Sequence, residues 1–254
     1  MAPAAGPSTV PQAATPVAHP AVQPVVPAGP LPYSETDVPI ALLVDLSAGK
    51  VIYSRNPDRR FLPASVTKTM TALVAFDLLR SGKLKEDQWM TMSPGAFRDW
   101  KRKGSTMFLS TGERVPVSAL LTGIMNISAN DASVVLAEGA AGSVAGWTAM
   151  MNARARSLGM TNSHFATPNG WPDEGKTFVS ASDLVILGQT LVYDHPQLYR
   201  RYIGLPGMAY GGIAQPNHDP LLGKVPGADG IKTGFTDEAG YNYLGTVERD
   251  GRRL

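Results

Sequence analysis

The sequence contains no cysteine, which excludes disulfide bonds, thiolate nucleophiles and zinc–thiolate sites. It also has no block of like charges. Its 23 basic and 21 acidic residues leave a net charge of +2, which does not indicate a nucleic-acid partner or binding to an acidic membrane. No apolar run approaches the roughly 20 residues that span a bilayer, and the amino terminus lacks the basic and apolar regions of a signal peptide. Neither a signal peptide nor a membrane attachment is visible in this chain.

Histidine is scarce, with only four residues. None follows a Gly-x-Ser-x-Gly turn, and none has the spacing of a metal-binding motif such as His-Glu-x-x-His. We therefore expect no metal ion, no cofactor and no Ser-His-Asp triad.

The first 32 residues hold nine of the 21 prolines, mixed mainly with small and aliphatic residues. Proline fixes φ and removes a backbone donor, so this composition can neither pair strands nor nucleate a helix. We predict a disordered, Pro/Ala-rich linker over residues 1–36 and one catalytic domain over residues 37–254. The hydrophobic content of the chain, 43%, is enough to build a core for such a domain.

Periodicity and turn residues predict strands at both ends of this domain and helices in the middle. This order favours an α+β fold in which an antiparallel sheet packs against a helical cluster. A last turn at 249–252 has almost no chain after it, so we expect the domain to be truncated at its carboxyl terminus. The predicted segments are a hairpin of 40–46 with 51–54, helices at 65–80, 117–125, 129–139, 143–158 and 182–193, and strands at 230–234 and 241–247.

Ser65 and Lys68 begin a predicted helix that is apolar on more than one face and so should be buried, and their spacing places both side chains on one face of its first turn. A serine hydroxyl needs a neighbouring base to become a nucleophile, and a buried lysine near a second positive charge can be neutral enough to serve. The alternative is a helix-capping serine with a solvated lysine, and Ser47-Ala-Gly-Lys50 shows that the spacing alone is not specific. That alternative is weaker for Lys68, because an unpaired ammonium in an apolar helix is costly.

Two further short motifs follow along the chain. Ser128-Ala-Asn130 lies where two predicted helices meet, and by itself it would be interpreted as a capping segment. Lys232-Thr-Gly234 lies in a predicted strand, and by itself it would be interpreted as a strand end with an exposed lysine. Thr233 with Lys232 could hold a carboxylate, and we expect glycine at 234 to let a substrate backbone approach closely.

Together and in this order, the three motifs are those of serine β-lactamases and penicillin-binding proteins, with Ser-Ala-Asn in place of Ser-Asp-Asn. The surrounding sequence resembles the D-alanyl-D-alanine carboxypeptidase family of low-molecular-weight penicillin-binding proteins over about residues 38–254. The resemblance implies the transpeptidase fold shared by penicillin-binding proteins and serine β-lactamases. The segments that carry it are Pro63–Met70, Met107–Val115, Ser128–Ser133, Thr167–Gly170, Ser180–Asp183 and Asp229–Asn242.

The resemblance also implies roles. Ser65 would attack the carbonyl between two D-alanines and Lys68 would accept its proton. Ser128 would relay a proton to the departing D-alanine and Asn130 would orient Lys68. The substrate-binding residues would be Lys232, Thr233, Gly234 and Phe235: the first two would hold the terminal carboxylate, and the backbone N–H groups of Ser65 and Phe235 would form the oxyanion hole.

On this resemblance the substrate is the peptidoglycan stem peptide, β-lactams are covalent inhibitors, and the protein acts in the periplasm or elsewhere in the cell envelope. Family members often carry an arginine in an Asn-x-Asn-x-Leu-Leu stretch, where this chain has His218 within Asn217–Leu222. Three alternatives remain: an endopeptidase acting on D-alanyl cross-links, a class A β-lactamase, and a non-catalytic peptidoglycan-binding protein. The β-lactamase is disfavoured because no Glu-x-x-x-Asn pattern lies between the second and third motifs.

Overall fold

The computed structural model describes residues 33–254 and the backbone of Gln23–Pro24. Of the predicted linker, residues 1–22 and 25–32 lie outside the described part. Contrary to the expectation that this composition cannot pair strands, Gln23–Pro24 form a two-residue strand parallel to residues 50–51. The division of the chain at residue 36 remains a prediction.

Strands flank a helical middle in the described residues, as the sequence predicts. All the strand pairings among residues 33–254 are antiparallel. The strands are β1 Gln23–Pro24, β2 Ala41–Asp45, β3 Lys50–Arg55, β4 Trp89–Thr91, β5 Arg114–Pro116, β6 Gly207–Tyr210, β7 Ile213–Pro216, β8 Ala228–Thr236, β9 Gly240–Arg249 and β10 Arg252–Arg253. The helices are α1 Lys68–Arg80, α2 Pro94–Trp100, α3 Val117–Asn126, α4 Asn130–Ala141, α5 Val144–Ser157, α6 Ala181–Asp194 and α7 Pro196–Tyr202, and a 3₁₀ turn, Ala64–Thr67, precedes α1.

Helix α1 runs through the centre of the core. Its first nine residues, Lys68 to Phe76, are all buried, as expected for a helix that is apolar on more than one face. Helices α3, α5 and α6 contact it from different sides. A central helix held on several sides is a rigid support for the residues at its start.

The sheet is divided. One part has the order β1-β3-β2 and another has the order β10-β9-β8. The last residues lie between these two parts: Leu254 exchanges backbone hydrogen bonds with Val247 (2.9 and 3.1 Å), and Leu46 N donates to Arg253 O at 2.9 Å. A short strand, β10, therefore does follow the turn at 249–252. The residues at this end of the chain form hydrogen bonds to both parts of the sheet.

Strand β8 packs along the 3₁₀ turn, which brings the third sequence motif beside the first. The loop before α4 carries the second motif to the same place. Among residues 33–254, no single helix is both long and apolar enough to cross a membrane, and the bent pair α4 and α5 meets that criterion on length and composition alone.

Candidate active site

Ser65 lies in the 3₁₀ turn, whereas the sequence predicts it in the first turn of the α-helix. The α-helix begins at Lys68. Residues three apart eclipse one another in a 3₁₀ helix, so this turn aligns the two side chains as the motif requires. Ser65 Oγ is 2.8 Å from Lys68 Nζ. Ala64, just before the serine, has φ of 47°, a strained conformation for a non-glycine residue and one typical of functional sites.

Lys68 is fully buried, and three oxygens surround its Nζ. Asn130 Oδ1 and Asn169 O each lie 2.7 Å away, and Ser65 Oγ is the third. An amide oxygen and a backbone carbonyl can only accept, so both must receive N–H groups from the lysine. The serine hydroxyl can donate or accept. In the neutral amine, two N–H bonds therefore satisfy the carbonyls, and the lone pair faces Ser65 O–H.

The neutral amine is also the form that the surroundings favour. Burial, and next the positive charge of Lys232, hold the pKa of Lys68 well below its ordinary value, and the carboxylate of Asp131 opposes this shift. Burial also lowers the pKa of Lys232, to about 7.

The second motif lies where the loop before α4 meets α1. Asn130 is the first residue of α4, its Oδ1 faces Lys68, and its Nδ2 donates to Lys103 O at 2.9 Å. Ser128 is buried, lines the same cleft as Ser65, and adopts a φ of 62°. The structure thus brings both polar residues of this motif to the Ser65–Lys68 pair.

The third motif lies on β8. Lys232 is buried and donates to Thr233 O at 2.9 Å, and Thr233 and Gly234 line the cleft. A Cβ at 234 would lie 2.7 Å from Pro63 O and 3.0 Å from Ser65 N, so the packing of β8 against the 3₁₀ turn itself requires glycine here. The expectation that Gly234 also lets a substrate backbone approach closely stays a prediction.

Members of all three motifs, Ser65, Ser128, Thr233 and Gly234, line a cleft of about 560 Å³. At its rim Phe235 is 51% exposed and Tyr241 is 90% exposed, and their ring centroids are 4.6 Å apart. His218 also lines the cleft, and burial followed by the charge of Lys232 lowers its pKa. None of the lining residues is an aspartate or glutamate. They are Ser65, Ser105, Ser128, His218, Pro220, Thr233, Gly234, Phe235, Tyr241, Asn242 and Tyr243.

Asn169 is the member of the lysine network that sequence reasoning missed. It acts through its backbone carbonyl, which any residue type could supply. The indirect signal is Gly170, whose φ is 74° and whose Cβ would lie 2.6 Å from Thr67 Oγ1. Glycine is thus needed for the 167–171 loop to press against the 3₁₀ turn and reach Lys68.

The second Ser-x-x-Lys motif, Ser47 to Lys50, is not among the residues that line the cleft. It forms the β2–β3 turn, both residues are exposed, and Ser47 Oγ accepts a hydrogen bond from Arg253 N at 2.8 Å. Elsewhere in residues 33–254, no three His, Asp or Glu side chains come together in a group that could hold a metal ion.

A model of the D-alanyl-D-alanine carboxypeptidase family, peptidase family S11, matches residues 29–254. The D-alanyl-D-alanine carboxypeptidase DacA of Escherichia coli strain K12 is 39% identical over 224 residues, which make up 87% of this chain and 55% of that protein. The chain therefore spans about half the length of that curated relative.

Solved structures agree. A D-alanyl-D-alanine carboxypeptidase from Mycobacterium tuberculosis H37Rv superposes with a TM-score of 0.78 at 29% identity, covering 90% of this chain and 84% of that one. Penicillin-binding protein D2 from Listeria monocytogenes, in its ampicillin-bound form, gives a TM-score of 0.73 at 29% identity, covering 84% and 85% of the two chains. These likenesses confirm the α+β prediction.

Proposed function

This chain belongs to the D-alanyl-D-alanine carboxypeptidase family, and from that premise we propose that it is a serine carboxypeptidase that removes the terminal D-alanine from peptidoglycan stem pentapeptides. The observation that carries the proposal is the buried Lys68 Nζ, placed 2.8 Å from Ser65 Oγ and 2.7 Å from two carbonyl oxygens. A capping serine with a solvated lysine has no need of such a network. A base held neutral beside a hydroxyl is what nucleophilic catalysis by serine requires.

In the acylation step, Ser65 Oγ attacks the carbonyl carbon of the penultimate D-alanine while its proton passes to Lys68 Nζ. The carbonyl oxygen becomes an oxyanion, which the backbone N–H groups of Ser65 and Phe235 stabilise. The C–N bond then breaks, and the leaving amine takes a proton from Lys68 through Ser128. The products are free D-alanine and an acyl ester on Ser65.

Hydrolysis of the ester completes the cycle. The departed D-alanine leaves space for a water, whose oxygen attacks the ester carbonyl carbon while Lys68 takes one of its protons. The bond between that carbon and Ser65 Oγ then breaks, Lys68 returns the proton to Oγ, and the shortened peptide leaves with a new terminal carboxylate. Lys232 and Thr233 hold the terminal carboxylate of the incoming peptide. A lysine whose pKa is about 7 becomes more fully charged when a carboxylate binds beside it, so binding strengthens that contact.

A β-lactam would acylate the same serine, since its strained amide presents a carbonyl to Ser65 and a carboxylate to Lys232. The ampicillin-bound structure of the Listeria protein supports this part of the proposal. The substrate places the enzyme in the periplasm or an equivalent extracytoplasmic compartment. The net charge of +2 supports no role for a nucleic-acid partner.

The proposal is tested by D-alanine release from a pentapeptide ending in D-Ala-D-Ala. We expect release by the parent protein and none by Ser65→Ala. Ser47→Ala is the matched control, because Ser47 belongs to the same motif type in an exposed turn. Equal release by the parent and Ser65→Ala would refute the assignment.

The endopeptidase, β-lactamase and non-catalytic alternatives each predict a different result with a different substrate. A cross-linked dimer assayed in parallel would separate endopeptidase from carboxypeptidase action. A class A β-lactamase would hydrolyse many equivalents of penicillin, for which it needs a carboxylate near the acyl ester, and the residues that line the cleft include none. A non-catalytic peptidoglycan-binding protein would bind the peptide without releasing D-alanine.

A further inference from the structure

A lysine between two tryptophans lies next to the Lys68 network. The rings of Trp100, the last residue of α2, and Trp171 meet edge to face, with centroids 5.8 Å apart and planes at 88°. Lys103 Nζ lies 4.9 Å from the centroid of each ring. Cation–π attraction holds an ammonium at such distances. We call Trp100, Lys103 and Trp171 the Lys103 clamp.

The clamp reaches Lys68 from one side through Asn130. The backbone carbonyl of Lys103 accepts a hydrogen bond from Asn130 Nδ2 at 2.9 Å, and Asn130 Oδ1 accepts from Lys68. An amide has one donor end and one acceptor end. If it turned over, its N–H groups would face the donors of Lys68 and its oxygen would face the carbonyl of Lys103. The position of the Lys103 carbonyl therefore decides which end of Asn130 the lysine meets.

The clamp reaches Lys68 from the other side through Asn169. Trp171 N donates to Asn169 Oδ1 at 3.1 Å, and Asn169 O accepts from Lys68 at 2.7 Å. The two loops also touch directly at Gly104, whose φ is 66°. A Cβ there would lie 2.8 Å from Asn130 Nδ2 and 2.9 Å from a carbon of the Trp171 ring. The ring thus packs against the backbone that carries the Lys103 carbonyl.

We propose that the Lys103 clamp is a positioning device for the catalytic lysine. By joining the 101–105 loop to the 167–171 loop, it holds the two carbonyl acceptors at the places where they direct the Lys68 lone pair at Ser65 Oγ. Lys103, Trp100 and Trp171 are positioning residues in this account, because they act through Asn130 and Asn169. The inference rests on the proposed function, since the rate it concerns is that of Ser65 acylation.

The test is the second-order rate constant for acylation by a fluorescent penicillin, measured per folded molecule alongside thermal unfolding. Lys103→Met removes the cation and keeps the aliphatic stem, Lys103→Arg keeps a cation that stacks on indoles, and Trp171→Leu removes one ring. The matched control is Lys101→Met. Lys101 lies two residues away with its Nζ 5.1 Å from the centroid of the Phe97 ring.

We expect Lys103→Met and Trp171→Leu to be acylated about 10-fold more slowly, because small misplacement of a base has large effects on rate. Lys103→Arg should keep more of the parent rate than Lys103→Met, because a guanidinium also stacks on indole rings, and Lys101→Met should be unchanged. A lower unfolding temperature with an unchanged rate constant in Lys103→Met and Trp171→Leu would mean that the clamp only stabilises the fold, and would overturn the inference. An equal loss in Lys103→Arg would also overturn it. A parent protein that is not acylated would refute the proposed function itself, and so is distinguishable from both.

Discussion

Replacing Gly234 by alanine tests whether the approach of β8 to the 3₁₀ turn is needed for catalysis. The new Cβ would lie 2.7 Å from Pro63 O, 3.0 Å from Ser65 N and 3.1 Å from Val66 N. These neighbours are backbone atoms, so no side-chain rotation can relieve the contacts. The strand or the turn must move instead.

The displacement can be bounded from the same distances. Ordinary Cβ contacts begin at 3.4 Å, so several tenths of an ångström must open between β8 and the turn. Overpacking of this kind costs about 1–3 kcal/mol of unfolding free energy. The methyl group would also lie beside Ser65 N–H, which the proposed mechanism uses for the oxyanion. We expect acylation per folded molecule to be slowed by about 10- to 100-fold, which a loss of unfolding free energy would not by itself produce while the protein stays folded.

The assay compares the rate constant of penicillin acylation and the unfolding temperature of Gly234→Ala with those of Gly95→Ala. Gly95 lies in α2, and the nearest atom to its added Cβ is Ser93 Oγ at 3.8 Å, an ordinary contact. The control should keep the parent rate and gain up to about 1 kcal/mol from helix propensity. Parental acylation and stability in Gly234→Ala would refute the close-approach argument.

Three further predictions use the charges around the cleft. In Lys232→Met the pKa of Lys68 should rise because a neighbouring positive charge is lost, so the acidic limb of the acylation pH–rate profile should move to higher pH; an unmoved limb would show that Lys232 does not tune the base. In the parent, kcat/KM for the pentapeptide should fall as pH rises above about 7, where Lys232 loses its proton, and a profile that stays flat to pH about 9 would contradict this. The penicilloyl adduct on Ser65 should persist for minutes or longer when followed by intact-protein mass spectrometry. The residues that line the cleft include no carboxylate to act as a general base, which would raise the deacylation rate by about 10²- to 10⁴-fold. Loss of the adduct within seconds would favour a β-lactamase.

Much of the fold follows from local signals. The β2–β3 hairpin, helix α1, helices α3 to α6 and the β8–β9 hairpin all lie where periodicity, caps and turns predict them. Ser143 caps α5 by accepting from Gly146 N, for example. Helices α2 and α7 were missed although each has proline in its first turn, because seven residues make only about two turns, too few to establish a periodic apolar pattern.

The three motifs could be predicted to meet because they occur together and in order, but their geometry could not. The 3₁₀ turn at Ser65 has no periodic signature, and its shape depends on β8 and on the loop at Gly170 packing against it. The positions of the Lys103 and Asn169 carbonyl groups depend on the backbone conformation of two loops. Every residue type has a backbone carbonyl, so the sequence does not reveal which ones contact the site. The reason for glycine at 234 likewise became visible only when its neighbours were placed.

The most direct test of Ser65 as the nucleophile is to map the site of a penicillin adduct by digestion and peptide mass spectrometry. The account predicts the adduct on the peptide that contains Ser65, none on the peptide that contains Ser47, and no adduct in Ser65→Ala. An adduct on Ser47, or one that survives in Ser65→Ala, would contradict it.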